Sequence, residues 1–495
     1  MRISLQLGTF VAMILIAAGH TPAQDPVLLA EEASGILALD NENRFSFTGS
    51  DVTLSVRVGR EGEFRFAARA RTNRREERPV ALWLDGRTLR LARLEAEVAQ
   101  PEPLVIEVAV SPGVDIAVEL TDAVFTAHSV QADISLGGSD VDATFVAPAG
   151  SITVELENST VNAKNVGGDV DLSGSGLEGK LEKIVGFSTV ALTNSSVNFT
   201  ELGGGGEFDL QNSVVALVDC AGELRLDATG GSVELRGAAN GADVRLDEAV
   251  LSLTQTEGDV VVDTNHEVRF TDIGGNLKIT GFGGKILGNG IAGSLTVSGN
   301  SAEVVVENLS GVSQIDGSDL AISAKTVRGD LALIVNSSTV VVEDAAAALT
   351  IQSEFGAVDV LRAAGDVKIT ARDGEVMVGG HRGNLEIRSN GPLVDVRWQL
   401  LPREKDTVIE NSGGDVNLFF PRTAQCRVEA ESSFGQVESS VDTVRVIDDG
   451  KRASGVIGRS NKPLVNVKAA NNITITAGNP PEGGPRGGRS AADGQ

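Results

Sequence analysis

At 495 residues the chain has length enough for roughly two to four ordinary domains. Its 58 Gly, absence of Tyr, 3 Met and 2 Trp suit a thin aliphatic core better than thick globular ones. A formal charge of −26 repels nucleic acid and anionic lipid, so neither is an expected partner. The acidic surface could hold divalent cations loosely, but it reads first as a solvated face that keeps a long β-surface from pairing with itself.

Residues 1–23 read as a signal peptide. Arg2 supplies a positive start, Phe10 to Ala18 an apolar stretch, and Thr21-Pro22-Ala23 a small-x-small cleavage site. The apolar stretch is short for a membrane span, and a signal anchor is the competing reading. No Cys follows it to accept a lipid, and no later stretch reaches spanning length. The mature chain is therefore expected to be exported, soluble and monomeric, in the periplasm, at the cell surface or outside the cell.

Residues 24–128 form a β-rich N-terminal region. RFSF at Arg44, TLSVRV at Thr53 and EFRFAARA at Glu63 alternate with strand period. Asp85-Gly86 marks a hairpin, and Pro112-Gly113 a turn between two Val/Ile-rich strands. The basic run RTNRREER, Arg71 to Arg78, reads as a solvated loop, with a docking patch for an acidic partner as the alternative. This region is expected to cap the first rung of a repeating stack.

Residues 129–383 repeat one phrase about every eighteen residues. SITVELENSTVNAKNVGG (Ser151 to Gly168), SLTVSGNSAEVVVENLSG (Ser294 to Gly311) and DVKITARDGEVMVGGHRG (Asp366 to Gly383) share it. Each gives aliphatic-x-aliphatic, a polar turn, a second aliphatic-x-aliphatic, and a close on Gly. In a strand, i and i+2 share a face, so Val367 and Ile369 point together, as do Val376 and Val378, while Lys368 and Met377 point away. One rung cannot bury its own aliphatics. Stacking about thirteen rungs brings Ile351 over Ile369 and builds aliphatic columns. The predicted fold is all-β: a parallel β-solenoid with rungs of about eighteen residues and a β-rich N-terminal cap.

The turn residues carry further expectations. Gly168, Gly186, Gly222, Gly258, Gly293, Gly311, Gly329, Gly365 and Gly383 recur at one point of the path and suggest a corner with positive φ. Asn158, Asn194, Asn212, Asn300 and Asn336 suit the mid-rung corner. Three of these (Asn158, Asn194, Asn336) also match N-x-S/T, where the turn role is the stronger reading. The G-G-x-G-x-D-x-U-x series of calcium-binding β-rolls is absent.

Residues 384–478 continue the solenoid less regularly, and 479–495, rich in Pro and Gly, should be disordered. Cys220 and Cys426 lie on distant rungs and are expected to be two buried free thiols.

The rungs, with GGDVDL at Gly167, GGDVNLFFP at Gly413 and SSFGQVESS at Ser432, resemble the bacterial "putative adhesin" family of unknown function. Ile409 to Ser439 followed by NNITITAG (Asn471 to Gly478) is similar to that family's closing segment. The resemblance implies a right-handed, single-stranded β-helix and brings no catalytic residue.

Little in the sequence points to catalysis. His128, His266 and His381 accompany no GxSxG, HExxH, CxxC or P-loop pattern, and His381 in GGHRG reads as an exposed turn residue. Outward acids such as Asp169, Asp171, Asp359 and Asp366 could serve a two-carboxylate polysaccharide lyase or hydrolase, but no distinctive cluster or cleft-building loop goes with them. No catalytic, cofactor-binding or metal-binding residue is assigned, and no cofactor is expected. The leading expectation is an adhesin-like structural or binding module of the bacterial cell envelope, taking an unknown protein or glycan. A polysaccharide-cleaving enzyme and a cation-dependent surface scaffold are the alternatives.

Overall fold

The computed structural model describes residues 27–29, 32–38, 44–61, 63–70, 80–85, 88–93, 104–402 and 405–478. The signal sequence, the basic run at Arg71 to Arg78 and the Pro/Gly-rich tail lie outside these residues. Every described regular element is a β-strand. The chain divides into two compact units, one of 1–252 with 256–258, the other of 253–255 with 259–495.

In the first unit a rung is two strands. Ile152–Glu157 buries Ile152, Val154 and Leu156, and Thr160–Val166 buries Val161, Ala163 and Val166. Each strand pairs in parallel with its equivalent eighteen residues on, so Ile152 sits over Val170 and Val161 over Gly179. A flat rung exposes its apolar edge, whereas stacking gives every aliphatic a partner above and below. Each is worth about 1.5–3 kcal/mol once fully buried. The stacking begins ahead of Ser129: Asp115–His128 lies in parallel register on Ile134–Val146, and on Arg44–Ser50 and Val52–Val58. Thr88–Arg93 and Leu104–Val110 also pair in parallel, with Arg44–Ser50 and Val52–Val58, while the antiparallel pairs of this region include the hairpin of Val80–Asp85 with Thr88–Arg93 expected from Asp85-Gly86. Gly113, with φ of 78°, closes the turn after Pro112.

The second unit repeats the arrangement. Leu333, Ile351, Ile369, Ile387 and Ile409 form one continuous column, joining the Ile351 and Ile369 positions. Val367, Ile369, Val376 and Val378 are buried, while Lys368 and Met377 face outward. The C-terminal rungs depart from sequence order. Leu464–Ala469 lies between Thr407–Asn411 and Cys426–Ser432, pairing in parallel with both. Ile473–Gly478 likewise lies between Asp415–Pro421 and Val437–Ser439. The chain thus builds one rung at 426–439, covers its edge with the antiparallel strands Val444–Ile447 and Arg452–Ile457, and returns to fill the space left behind. Closing an edge in this way removes a template for unwanted strand pairing.

The corners need two corrections. None of the nine recurring glycines has positive φ. They are required by close stacking instead: a Cβ on Gly329 would overlap the carbonyl oxygen of Gly311, and one on Gly383 that of Gly365. The left-handed conformation falls elsewhere, at two points of most rungs. One is the predicted mid-rung corner, at Asn158, Asn194 and Asn212 with φ of 48°, 51° and 50°. The other lies near the end of the second strand, at Asn165, Lys183, Glu201 and Asp219. In the second unit the mid-rung corner passes to Ser301 and Ser337, so Asn300 and Asn336 are not left-handed. The Asn300 Oδ1 instead accepts from the backbone N–H (2.9 Å) and hydroxyl (2.8 Å) of Ser318 on the next rung.

Buried serines complete the Asn-Ser corners. The Ser195 Oγ accepts the Leu177 N–H at 2.9 Å and donates to the Thr193 carbonyl at 2.8 Å; Ser159 and Ser338 do the same one rung later than Val141 and Leu320. Both cysteines are free and buried, as expected. Burial, with the Asp219 charge secondary at Cys220, pushes each thiol up to about 12.

Candidate functional site

Inward positions and corners are fixed by stacking, so recognition chemistry has to come from outward side chains. The acids singled out in the sequence separate into two kinds. Asp169 Oδ1 accepts the Phe187 N–H at 2.7 Å, and Asp330 and Asp366 accept the N–H of Ala348 (3.0 Å) and Asn384 (3.3 Å). Asp133, Asp259, Asp406 and Asp415 repeat the bond to the following rung. An Asp at the start of a rung, most often directly after the closing glycine, therefore caps a backbone donor that the corner leaves unpaired. Asp366 is also held by Lys405, whose hydrogen bond is the main reason its carboxyl lies below the usual range. Asp171 and Asp359 are outward strand residues without that role. Burial, then the nearby Glu375 charge, raises the Asp359 carboxyl.

The histidines also separate. His128 and His266 are exposed, but His381 is fully buried, which overturns the exposed-turn expectation. Its Nδ1 lies 3.1 Å from the Ala363 carbonyl and its Nε2 3.1 Å from the Asn384 carbonyl. A neutral imidazole donates only one of these bonds. Burial, the largest influence, lowers the pKa of His381 against the backbone bonds that favour its charged form. Across a shift of register after Gly379, His381 is the ladder partner of Trp398, which stacks on Phe420 at 4.8 Å inside the core.

Each unit carries a groove on the outward face of the first strands of its rungs. In the first unit it measures about 590 Å³. Glu119, Gly137, Glu155, Ser173, Ala191 and Asp209 follow one another along the ladder, so small residues alternate with carboxylates and leave a depression between them. Glycine at 138 and 174 is obligatory, because a Cβ there would meet the carbonyl of Leu120 or Leu156. In the second unit the groove measures about 730 Å³. Ile334, Gln352, Thr370, Arg388 and Glu410 form its central ladder. Arg372 and Glu354 pair at 3.4 Å, Arg388 and Glu386 at 3.3 Å, and Ile334 is 46% exposed. One groove is acidic; the other offers amides, balanced charge and an apolar side chain. Among the described residues no group of three or more His, Cys, Asp or Glu is placed to hold a metal ion, and no helix is long and apolar enough to cross a membrane.

Strand-lined outward grooves on the stacked rungs of each unit define the class: a parallel β-solenoid whose exposed strand faces are its available surfaces. No family model and no curated protein matches the chain. A solved structure of a "putative cell adhesion protein" from Clostridium sporogenes is similar, at 7% identity and a TM-score of 0.14, over 90% of this chain and 100% of that one.

Proposed function

We propose that this chain is an exported, adhesin-like module of the bacterial cell envelope, which binds a protein or glycan through its outward strand faces and catalyses no reaction. The observation that carries this reading is the recurrence of a groove on the same rung face in both units, with a different lining in each. A face that changes its side chains while its backbone stays constant is a surface on which recognition can vary without cost to the stack. Asp169 and Asp366, which a two-carboxylate mechanism could have used, are engaged by the backbone of the next rung.

The reading is tested by arraying the full mature chain against envelope glycans and envelope proteins, with product analysis on every glycan. Saturable binding that is lost on Arg388→Ala or Glu155→Gln supports it. Cleavage of any glycan, or no ligand across the array, overturns it. Cell fractionation tests the export that the N-terminal sequence suggests: retention of the full-length chain in the cytoplasm would contradict it.

A further inference from the structure

We propose that the other outward face of the second unit, on the second strands of its rungs between Val341 and Phe419, docks a cationic, apolar peptide segment of a partner protein. This rests on the binding-module reading and narrows it to one surface and one chemistry. On that face Asp359 sits in the ladder between Val341 and Met377. Leu361 lies two residues on along the same strand and faces the same way, while Leu393 and Phe419 stand two and three rungs further along the face; each is partly exposed. The rung does not demand this. The same ladder in the first unit reads Asn162, Lys180, Asn198 and Ala216, polar at the first three positions. Val341, Leu361 and Met377 around Asp359 thus leave apolar surface partly in contact with water.

The charges on the face select the occupant. Its cations are already paired: Arg362 with Asp344 (2.7 Å) and Glu343 (2.7 Å), Arg397 with Asp395 (2.9 Å). Among the described residues no ion pair involves Asp359 or Glu375. A half-buried carboxylate among apolar side chains and beside a second carboxylate lacks compensation, which an arriving Lys or Arg would supply. Burial and Glu375 raise the Asp359 carboxyl, consistent with that deficit. The neighbouring strands already pair on both sides here, so the partner lies across the face through its side chains and does not extend the sheet. A segment with Lys or Arg alternating with apolar residues presents both features on one side.

The test uses the full mature chain and three short labelled peptides, alternating Leu with Lys, Ser with Lys, and Leu with Glu. The Leu–Lys peptide should bind about tenfold more tightly than the Ser–Lys peptide, and the Leu–Glu peptide should not bind. The double variant D359N/E375Q should weaken Leu–Lys binding about tenfold, and Met377→Ser should also weaken it, while Asp171→Asn in the first unit leaves it unchanged. Circular dichroism confirms that each variant keeps its β-structure. Equal binding of the two cationic peptides would mean that net charge alone is read and would overturn the proposal. So would indifference to D359N/E375Q, or a dimer in sedimentation that Met377→Ser converts to monomer, since a second copy would then cover the face. Glycan or protein binding lost only on groove variants would leave the general reading standing while this surface assignment fails.

Discussion

Replacing Gly329 with Ala separates the two physical accounts of the recurring glycine. Its added Cβ would fall inside the van der Waals radius of the Gly311 carbonyl oxygen, a backbone atom with no rotamer to change. An ordinary C···O contact is about 3.3–3.6 Å, so the two rungs would have to separate by roughly 1 Å at this corner. That stretch breaks or lengthens the bonds from the Arg328 N–H (2.7 Å) and the Gly329 N–H (3.3 Å) to the Leu309 carbonyl. With each of the two poorly paired groups costing about 1–3 kcal/mol, a destabilisation of about 2–6 kcal/mol is expected. The assay is urea unfolding followed by circular dichroism, with hydrogen exchange to localise the loosened rungs. Gly329→Asn is the decisive companion, because Asn tolerates a left-handed corner but has a Cβ. Steric crowding predicts that Asn is at least as harmful as Ala. If Asn is tolerated and Ala is not, backbone conformation is the cause and the stacking argument is wrong.

Ser195→Ala removes the acceptor for the Leu177 N–H inside a closed corner, and should cost about 1–3 kcal/mol with faster exchange of that amide; a loss under about 0.5 kcal/mol would show that the bond is dispensable. The His381 pKa is lowered on folding, so the unfolded chain binds the proton more readily. The stability this contributes is fully present above the unfolded value of about 6.5 and is lost as pH falls through the lower folded value. His381→Gln should therefore flatten the acid limb of stability against pH, and an unchanged limb would place the titration elsewhere.

Much of the fold was legible because its rule is local. Alternation in VKI and VMV places Val367, Ile369, Val376 and Val378 inside from sequence alone, and an Asn-Ser pair between two such runs marks a corner. The recurring glycine was visible too, but not its cause, since overlap with the preceding rung depends on a contact eighteen residues away. His381 misled because GGHRG looks like a turn. Counting back by eighteen would have corrected this, for Ala363, Ala345 and Val327 are all buried in the same column. The C-terminal order was hidden because Leu464–Ala469 carries the same alternation as its neighbours, and nothing in that pattern says that it enters between two earlier strands. The grooves had a faint signal in the small outward residues Gly137, Ser173 and Ala191 between acids. Neither the surface that binds nor its ligand can be read from periodicity, because outward positions are free of the stacking constraint.

The most direct test of the stacked, eighteen-residue register is an engineered cross-link on the outer face of the second unit. Thr370 and Arg388 are ladder partners, so their Cα atoms lie about 4.8 Å apart, within the range a disulfide spans. Thr370 and Glu410 are two rungs apart, at about 9.6 Å, beyond that range. The native thiols, buried and with pKa values pushed up to about 12, should not compete in the folded chain. The predicted result is ready oxidation of T370C/R388C and none of T370C/E410C, read as thiol loss in the folded protein. Oxidation of the second pair but not the first would contradict the register, and with it the assignment of inward, corner and outward residues.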